Sequence, residues 1–312
     1  MLNGKVIILL GPTAAGKTDL ALGLSARWPL DIISVDSAQV YRYMNIGTAK
    51  PDAETLARFP HRLIDLIDPD QTYSAAQFCL DATAAIRSSH AAGRVPLLAG
   101  GTMLYAKALM QGLSPLPPAS PALRAELEAE AAAIGWPAMH AELARHDPVS
   151  ASRLQPNDAQ RIQRALEVWR LRGVPLSSLQ LVTPGTSQFP FKTLLVGLMP
   201  ADRAHLHRRI ALRFNHMLEA NLVGELEELR KRFALDQQMP SMRSVGYRQA
   251  WEYLEGAIDR TQLAERGIAA TRQLAKRQIT WLRSMHGAEL FDSLDDSTPA
   301  TILERCGRFL QE

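Results

Sequence analysis

Gly11, Pro12, Thr13, Ala14, Ala15, Gly16, Lys17 and Thr18 follow the pattern G-x4-G-K-T. Each part of that pattern suits a phosphate. The glycines let backbone amides curl around phosphate oxygens, and a helix starting where the loop ends adds further amides and the positive end of its dipole. Lys17 supplies a point charge, and the Thr18 hydroxyl is placed for Mg²⁺. The loop therefore predicts a site for a diphosphate or polyphosphate ligand, but it does not name the reaction. P-loop enzymes that transfer phosphoryl groups carry a metal-holding Asp at the end of a second apolar strand. Here the apolar run from Val95 to Ala99 leads into Gly100, Gly101 and Thr102, with no acid. The remaining candidate is Asp36, which ends the run Ile32-Ile-Ser-Val. A carboxylate at the carboxyl end of a parallel strand faces the ligand crevice. It can hold metal through water, accept a proton, or serve only as a turn or cap residue.

Cations carry a second kind of chemistry. Between Thr271 and His286 stand Arg272, Lys276, Arg277 and Arg283, with no acidic residue. On a helix, Arg272, Lys276 and Arg283 share one face, while Leu274, Trp281 and Leu282 lie toward the other and are expected to pack on the body. Such a stripe fits the phosphates of a nucleic acid, and a solvated helix face is the plainer alternative. Arg243 and Arg248 add to it. Tyr247 and Trp281 suit either base stacking or the core. Arg161, Arg164 and Arg172 form a weaker face, diluted by Asp158 and Glu167. Arg209 and Arg213, one turn apart, can aim two guanidiniums at one phosphate or pair with Glu219, Glu225, Glu227 and Glu228. The eight histidines show no zinc-ligand spacing.

The elements that must position these groups alternate. Lys5 to Leu10, Asp31 to Asp36, Val95 to Thr102 and Phe191 to Met199 read as strands, the first buried on both faces. Asp19 to Arg27 and Ser74 to Ala91 read as helices between them. Strands separated by helices predict an α/β fold with a parallel sheet. Four prolines between Ser114 and Pro121 interrupt regular structure. Beyond them Ala122 to Ile134, Ala138 to Arg145 and Asp158 to Arg172 are helical, and residues 202–312 are mostly helical. The expected organisation is a core over 1–116 and 189–312 with an all-helical insertion over 117–188. A length of 312 residues agrees with two units rather than one. A hydrophobic content of 46% excludes a disordered or collagen-like chain. Two cysteines cannot build a disulfide scaffold, which suits the cytoplasm. No apolar run near the start is long enough for a membrane span or signal peptide. The net charge of +3 is too small to announce a nucleic-acid partner, so the local distribution has to decide.

Taken in order, these segments resemble the tRNA dimethylallyltransferase family. The resemblance rests on the phosphate loop, on Asp36 to Arg42, on Asn45 to Pro51, and on Gly100 to Tyr105. Pro156 to Arg161, Arg243 to Arg248 and Thr271 to Arg283 extend it along nearly the whole chain. It implies a P-loop-type parallel sheet flanked by helices and transfer of a dimethylallyl group from dimethylallyl diphosphate to the adenine immediately 3′ of the anticodon. By that resemblance the phosphate loop binds the diphosphate, with Thr18 near Mg²⁺ and Arg213 assisting. Asp36 is the general base, and Ser37, Ala38 and Gln39 line the adenine pocket. Thr102, Arg124, Gln160, Arg161, Ile162, Gln163 and Arg164 lie against the tRNA. Arg243, Ser244, Val245, Gly246, Tyr247 and Arg248 grip the anticodon stem-loop together with Lys276, Arg277, Gln278, Ile279, Thr280, Trp281, Leu282 and Arg283. A monomer acting in the cytoplasm, without a membrane, is implied. The sequence departs from the family pattern at Ala15, Tyr43, Asn45 and Met103, which stand where Ser, Gly, Asp and Gly are usual. Two rivals explain less: a P-loop small-molecule kinase with the insertion as a lid over ATP leaves the acid-free basic helix without a task, and a nucleotide-gated RNA-binding protein leaves Asp36 and Gln39 without one.

Overall fold

The apolar run Lys5–Leu10 forms strand β1, buried along its whole length as a parallel strand covered on both faces must be. The computed structural model describes residues 4–181 and 189–312. After β1 come helix α1 (Lys17–Arg27), β2 (Leu30–Val35), α2 (Ala53–Arg58), β3 (His61–Arg62), α3 (Ala75–Ala91), β4 (Val95–Gly100) and α4 (Met103–Gln111). Helices α5 (Pro121–Ile134), α6 (Trp136–His146), α7 (Pro148–Ala151), α8 (Ala159–Arg172) and α9 (Leu176–Leu181) follow. The chain returns through β5 (Lys192–Leu198), α10 (Arg203–Glu219), α11 (Leu222–Arg232), α12 (Tyr247–Leu254), α13 (Arg260–Arg283), β6 (Glu289–Phe291) and α14 (Thr298–Gln311). Ser74 caps α3 by accepting from the Gln77 amide, and Asp259 caps α13 in a reciprocal pair with Gln262.

The strands form one parallel sheet in the order β3-β2-β4-β1-β5-β6. Leu10 of β1 and Val35 of β2 both pair with Gly100 of β4, so the three strands end level. The loops that begin at Gly11, Asp36 and Gly101 therefore open side by side at the carboxyl edge, where α/β sheets take their ligands. Gly100 has no room for a side chain, because a Cβ there would lie 2.1 Å from the Val35 carbonyl oxygen. Ile7, Leu9 and Val196 of the sheet share a core with Leu24 of α1 and Phe309 of α14. A second core joins Phe214, Leu226, Tyr247, Trp251 and Leu263 from α10 to α13. Among the described residues no helix is long and apolar enough to cross a membrane.

The chain divides into two compact units, Met1–Leu109 with Pro190–Glu312, and Met110–Phe189. The second has its own apolar core of Leu127, Met139, Leu143, Ile162, Leu166 and Val168. It begins at Met110 rather than at the expected Pro117, because Leu116 of the proline-rich segment packs against this core instead of linking it to something else. The expected end at residue 188 lies outside the described residues.

The carboxylate of Glu167, with no solvent exposure, organises the helical unit. It accepts from the Ser120 amide at 2.8 Å, from Arg124 at 2.9 and 3.1 Å, and from Arg164 at 2.6 Å. Arg164 also donates to the Pro117 carbonyl at 2.7 Å. Arg124 and Arg164, both expected against the tRNA, thus share one buried carboxylate partner. Ile162 is fully buried in the same core, which corrects its reading as an RNA contact through the side chain. Burial pushes the Glu167 carboxyl up, but the hydrogen bonds from Arg124 and Arg164 outweigh it and hold the group below the usual carboxylate range. A carboxyl depressed in the folded state stabilises above its unfolded pKa, and that stability is lost as pH falls through the folded value. The helical unit is therefore expected to weaken below about pH 4. Glu167→Gln is expected to remove about 3 kcal/mol of stability and that acid-sensitive step. Thermal and acid unfolding followed by circular dichroism measures both.

Candidate active site

The phosphate loop joins β1 to α1 through two residues in left-handed backbone conformations, Ala14 at φ 63° and Gly16 at φ 85°. Gly16 adopts this without strain as the N-cap of α1. Ala14 does so at a cost of about 1 kcal/mol, as residues at ligand loops often do. The loop closes on itself: the Ala15 amide and the Lys17 ammonium both donate to the Pro12 carbonyl, at 3.3 and 2.7 Å. Burial pushes the Lys17 ammonium down to about 8, Arg213 adds to that, and Asp36 opposes it. Burial likewise lowers Arg213 from the ordinary guanidinium range, Asp36 again opposing. Lys17, Arg213 and Asp36 thus form one electrostatic group. Arg209 stands behind the loop, its guanidinium 3.7 Å from where a Gly16 Cβ would be.

Asp36 follows directly on β2. Its Oδ1 accepts from the Ala38 amide at 2.8 Å and more weakly from the Gln39 amide at 3.4 Å. The turn reading was therefore correct for one oxygen, and Oδ2 is left for other work. On the neighbouring loop, Thr102 Oγ1 accepts from the Ser37 amide at 2.9 Å and donates to Ser37 Oγ at 3.2 Å. Buried Ser34 donates to Gln39 Oε1 at 2.9 Å, which turns the Gln39 amide nitrogen away from the strand.

These groups line one cavity of about 560 Å³. Among the described residues, Lys17, Arg213, Arg243 and Arg277 line it as cations at neutral pH, and Asp36 is its one carboxylate. Met103, Leu104, Val245, Leu274 and Trp281 add apolar wall. The arrangement suits a multiply charged anion bearing an apolar group, next to a single proton acceptor.

Several expected contacts are placed otherwise. Tyr247 is fully buried, beneath Gly47 where a Cβ would meet its ring at 2.4 Å, and its hydroxyl donates to Glu225 at 2.6 Å. It is a core residue and stacks on no base. Gly246 is likewise buried, while Ser244 and Val245 line the cavity. Ile279 and Leu282 are buried on the inner face of α13, so their side chains do not reach RNA. Trp281 was expected against the body, yet it is 38% exposed, lines the cavity, and has the Lys107 ammonium 5.6 Å from its ring centre. It shares the cavity side of α13 with Leu274 and Gln278, while Ala275, Ile279 and Leu282 pack inward. Lys276, Arg277, Thr280 and Arg283 are exposed on α13, as is Arg272. Arg248 is exposed and stands 3.6 Å from Glu252. Within the helical unit Gln160 is exposed, Arg161 pairs with Asp158 at 2.8 Å, and Gln163 donates to Glu128 at 3.0 Å.

Two important side chains were misread or missed. Gln278, taken as an RNA contact, turns inward: its Oε1 accepts from the Thr13 amide and its Nε2 donates to the Gly101 carbonyl, both at 2.9 Å. The signal was available, since Gln278 lies one turn beyond Leu274, a residue expected to face the body. Glu225 of α11 accepts from the amides of Asn45, Ile46 and Gly47 at 2.9 to 3.3 Å and so pins the loop that forms another wall of the cavity. The departure at Tyr43 has a backbone meaning: φ is 65°, a conformation that favours glycine. The Arg232 guanidinium covers the Tyr43 ring at 3.7 Å and donates to its hydroxyl at 2.8 Å, and Phe233 lies 5.9 Å away.

A family model described as IPP transferase matches residues 39–285, and one described as isopentenyl transferase matches residues 4–67. The chain is 60% identical over 290 residues to a tRNA dimethylallyltransferase of Thiobacillus denitrificans, covering 93% of this chain and 92% of that one. It is 58% identical over 308 residues to one of Alkalilimnicola ehrlichii, covering 98% and 95%. The fold is similar to the crystal structure of a full-length tRNA isopentenylpyrophosphate transferase from Bacillus halodurans, with a TM-score of 0.72, 34% identity, and coverage of 99% of this chain and 97% of that one. It is also similar to a eukaryotic dimethylallyltransferase acting on tRNA, with a TM-score of 0.81 and 25% identity over 99% of this chain and 80% of that one. A family model spanning most of the sequence and relatives of this identity along nearly all of it establish that the chain belongs to the tRNA dimethylallyltransferase family.

Proposed function

We propose that this enzyme transfers the dimethylallyl group of dimethylallyl diphosphate to the exocyclic amine of the adenine immediately 3′ of the anticodon in tRNA, releasing diphosphate. The observation that carries this reading is the cavity at the level ends of β1, β2 and β4, with four cations, one carboxylate and an apolar wall. The amine nitrogen forms a bond to the allylic carbon as the carbon–oxygen bond breaks, and that electron pair leaves on the diphosphate. Lys17, the loop amides and Arg213 face the charge that grows there. The amine is a weak nucleophile because its lone pair is drawn into the ring, so a carboxylate that takes its proton as the bond forms assists it. Asp36 fills that role through Oδ2, while Oδ1 holds the turn. The adenine has to leave its stack to reach this cavity, and Ser37, Ala38, Gln39 and Thr102 receive it.

Mg²⁺ fits the oxygen donors present. No cluster of three or more His, Cys, Asp or Glu side chains among the described residues would hold a metal alone. Mg²⁺ prefers one or two protein oxygens together with phosphate oxygens and water. Thr18 would hold it with the diphosphate, where it would help neutralise the leaving group. The anticodon stem-loop is gripped by Arg243, Arg248 and the exposed cations of α13, in a monomer acting in the cytoplasm. The kinase alternative lacks the acid that would hold a nucleotide's metal at the end of β4, where Gly100, Gly101 and Thr102 stand.

Asp36→Asn keeps the turn and removes the base. Turnover is expected to fall about 10²-fold or more with RNA affinity unchanged; near-normal turnover ends the base assignment. Lys17 binds the anion only as an ammonium, so affinity for dimethylallyl diphosphate is expected to be flat from neutral pH upward and to weaken above about 8. The diphosphate ester adds little charge of its own across that range. Affinity that stays constant through pH 9 would remove Lys17 from the site, and titration calorimetry at a series of pH values decides it. Lys276→Ala and Arg283→Ala are each expected to weaken RNA binding and lower its salt slope by about one. Filter binding across a salt series measures this, and an unchanged slope contradicts phosphate contact.

A further inference from the structure

We propose that Met217 sets the length of the allylic group this cavity accepts, closing the end beyond Arg213 so that a dimethylallyl group fits and a longer prenyl chain does not. This rests on the functional reading above and names the residue that selects its donor. Ile210, Arg213, Phe214 and Met217 recur at the spacing of one helix face, and all four line the cavity. The early turns of α10 lie against the phosphate loop: Leu206 and Ile210 pack in a cluster with Ala14 of that loop, and the Arg209 guanidinium stands beside Gly16. The later turns join the second core, where Phe214 and Met217 pack with Leu222 and Tyr247. The helix therefore runs from the loop that holds the diphosphate, past Arg213, to Met217 one turn further. A prenyl group attached to that diphosphate carries no charge and favours apolar wall. Next along this face are Phe214 and Met217.

The other surfaces at this end cannot yield. Phe214 is buried and its ring abuts the backbone of α13, where a Cβ on Gly267 would lie 1.9 Å from it. Gly47 is held from two sides: its amide donates to Glu225, and the Tyr247 ring lies 2.4 Å from where a Cβ would be. These walls meet at Gly246, whose Cβ would lie 3.8 Å from the Phe214 ring and 4.0 Å from the Gly47 carbonyl oxygen. Met217 is half-buried, and its unbranched thioether is the adjustable surface among them. It stands about 6 Å along the helix from Arg213. A dimethylallyl group fills that span, and a geranyl group, with a second isoprene unit, exceeds it.

The test sets equimolar dimethylallyl and geranyl diphosphates in competition for one unmodified anticodon stem-loop RNA, with both products counted by mass spectrometry. The product ratio gives the ratio of the two kcat/KM values, which the fraction of folded enzyme does not move. The unaltered protein is expected to favour the dimethylallyl group by about 100-fold or more. Met217→Ala is expected to raise the geranyl share about tenfold or more, while Met103→Ala, at the apolar wall beside Thr102, keeps the ratio within about twofold. Met217→Phe shortens the same end: KM for dimethylallyl diphosphate is expected to rise about tenfold, with inhibition by inorganic diphosphate unchanged because the headgroup site is untouched. The proposal is overturned if the unaltered protein uses both donors equally, if Met217→Ala leaves the ratio where it was, or if Met103→Ala shifts it as far. It is also overturned if Met217→Phe weakens inorganic diphosphate as much as dimethylallyl diphosphate. Failure of the functional reading is a separate result: the unaltered protein then prenylates the RNA with neither donor.

Discussion

A single amide, that of Gln278, spans the gap between the loops that leave β1 and β4. The sheet brings those loops to one edge because Leu10, Val35 and Gly100 end level, but level strands do not by themselves fix the loops that follow. A turn rich in glycine has many accessible shapes. Its shape is held here by the Pro12 carbonyl from within and by α13 from outside. The absence of a side chain at Gly100 and Gly101 belongs to the same constraint. The first lets β2 and β4 approach, and the second admits the Gln278 amide. Glu225 does for the loop at Asn45 to Gly47 what Gln278 does for the phosphate loop, by satisfying backbone amides with a side chain from a helix distant in sequence. Loops carry the site, and helices set their shape.

The charge distribution follows a second logic. Cations on α1, α10 and α13 and in the Arg243 loop converge on a cavity with one carboxylate, so each raises the cost of charging the next. Lys17 shows it, pushed down by burial and Arg213 and supported by Asp36. A diphosphate entering the cavity relieves that repulsion. The helical unit handles charge in another manner: the buried Glu167 carboxylate pairs there with both Arg124 and Arg164.

The parts of this architecture written in local pattern were legible in the sequence. Continuous apolar runs ending in glycine marked β1 and β4, and Ser74 marked the start of α3. The phosphate loop and Asp36 followed from the residues at strand ends, where the chemistry is local. The edge strands β3 and β6, of two and three residues, carry too short a pattern to read. What depended on distant partners was misjudged. Arg124 and Arg164 looked like free cations because Glu167 lies 43 residues from Arg124 along the chain. Tyr247 sits among arginines in sequence, yet Glu225 and Gly47 enclose it in space. Gln278 offered a local clue, a polar residue one turn beyond Leu274, but the clue did not say what it would meet.

Tyr43 shows how such long-range support shapes the freedom of a sequence to change. Its backbone occupies a region suited to glycine, and its ring is held by Arg232 and Phe233 at the end of α11. The position therefore has two self-consistent solutions, a bare glycine or a tyrosine with its cationic lid, with poor choices between them. A change at Arg232 would leave the tyrosine strained and uncovered, and a glycine at Tyr43 would leave Arg232 without its platform. A loop beside the cavity thus inherits its tolerance for substitution from a helix end 189 residues away.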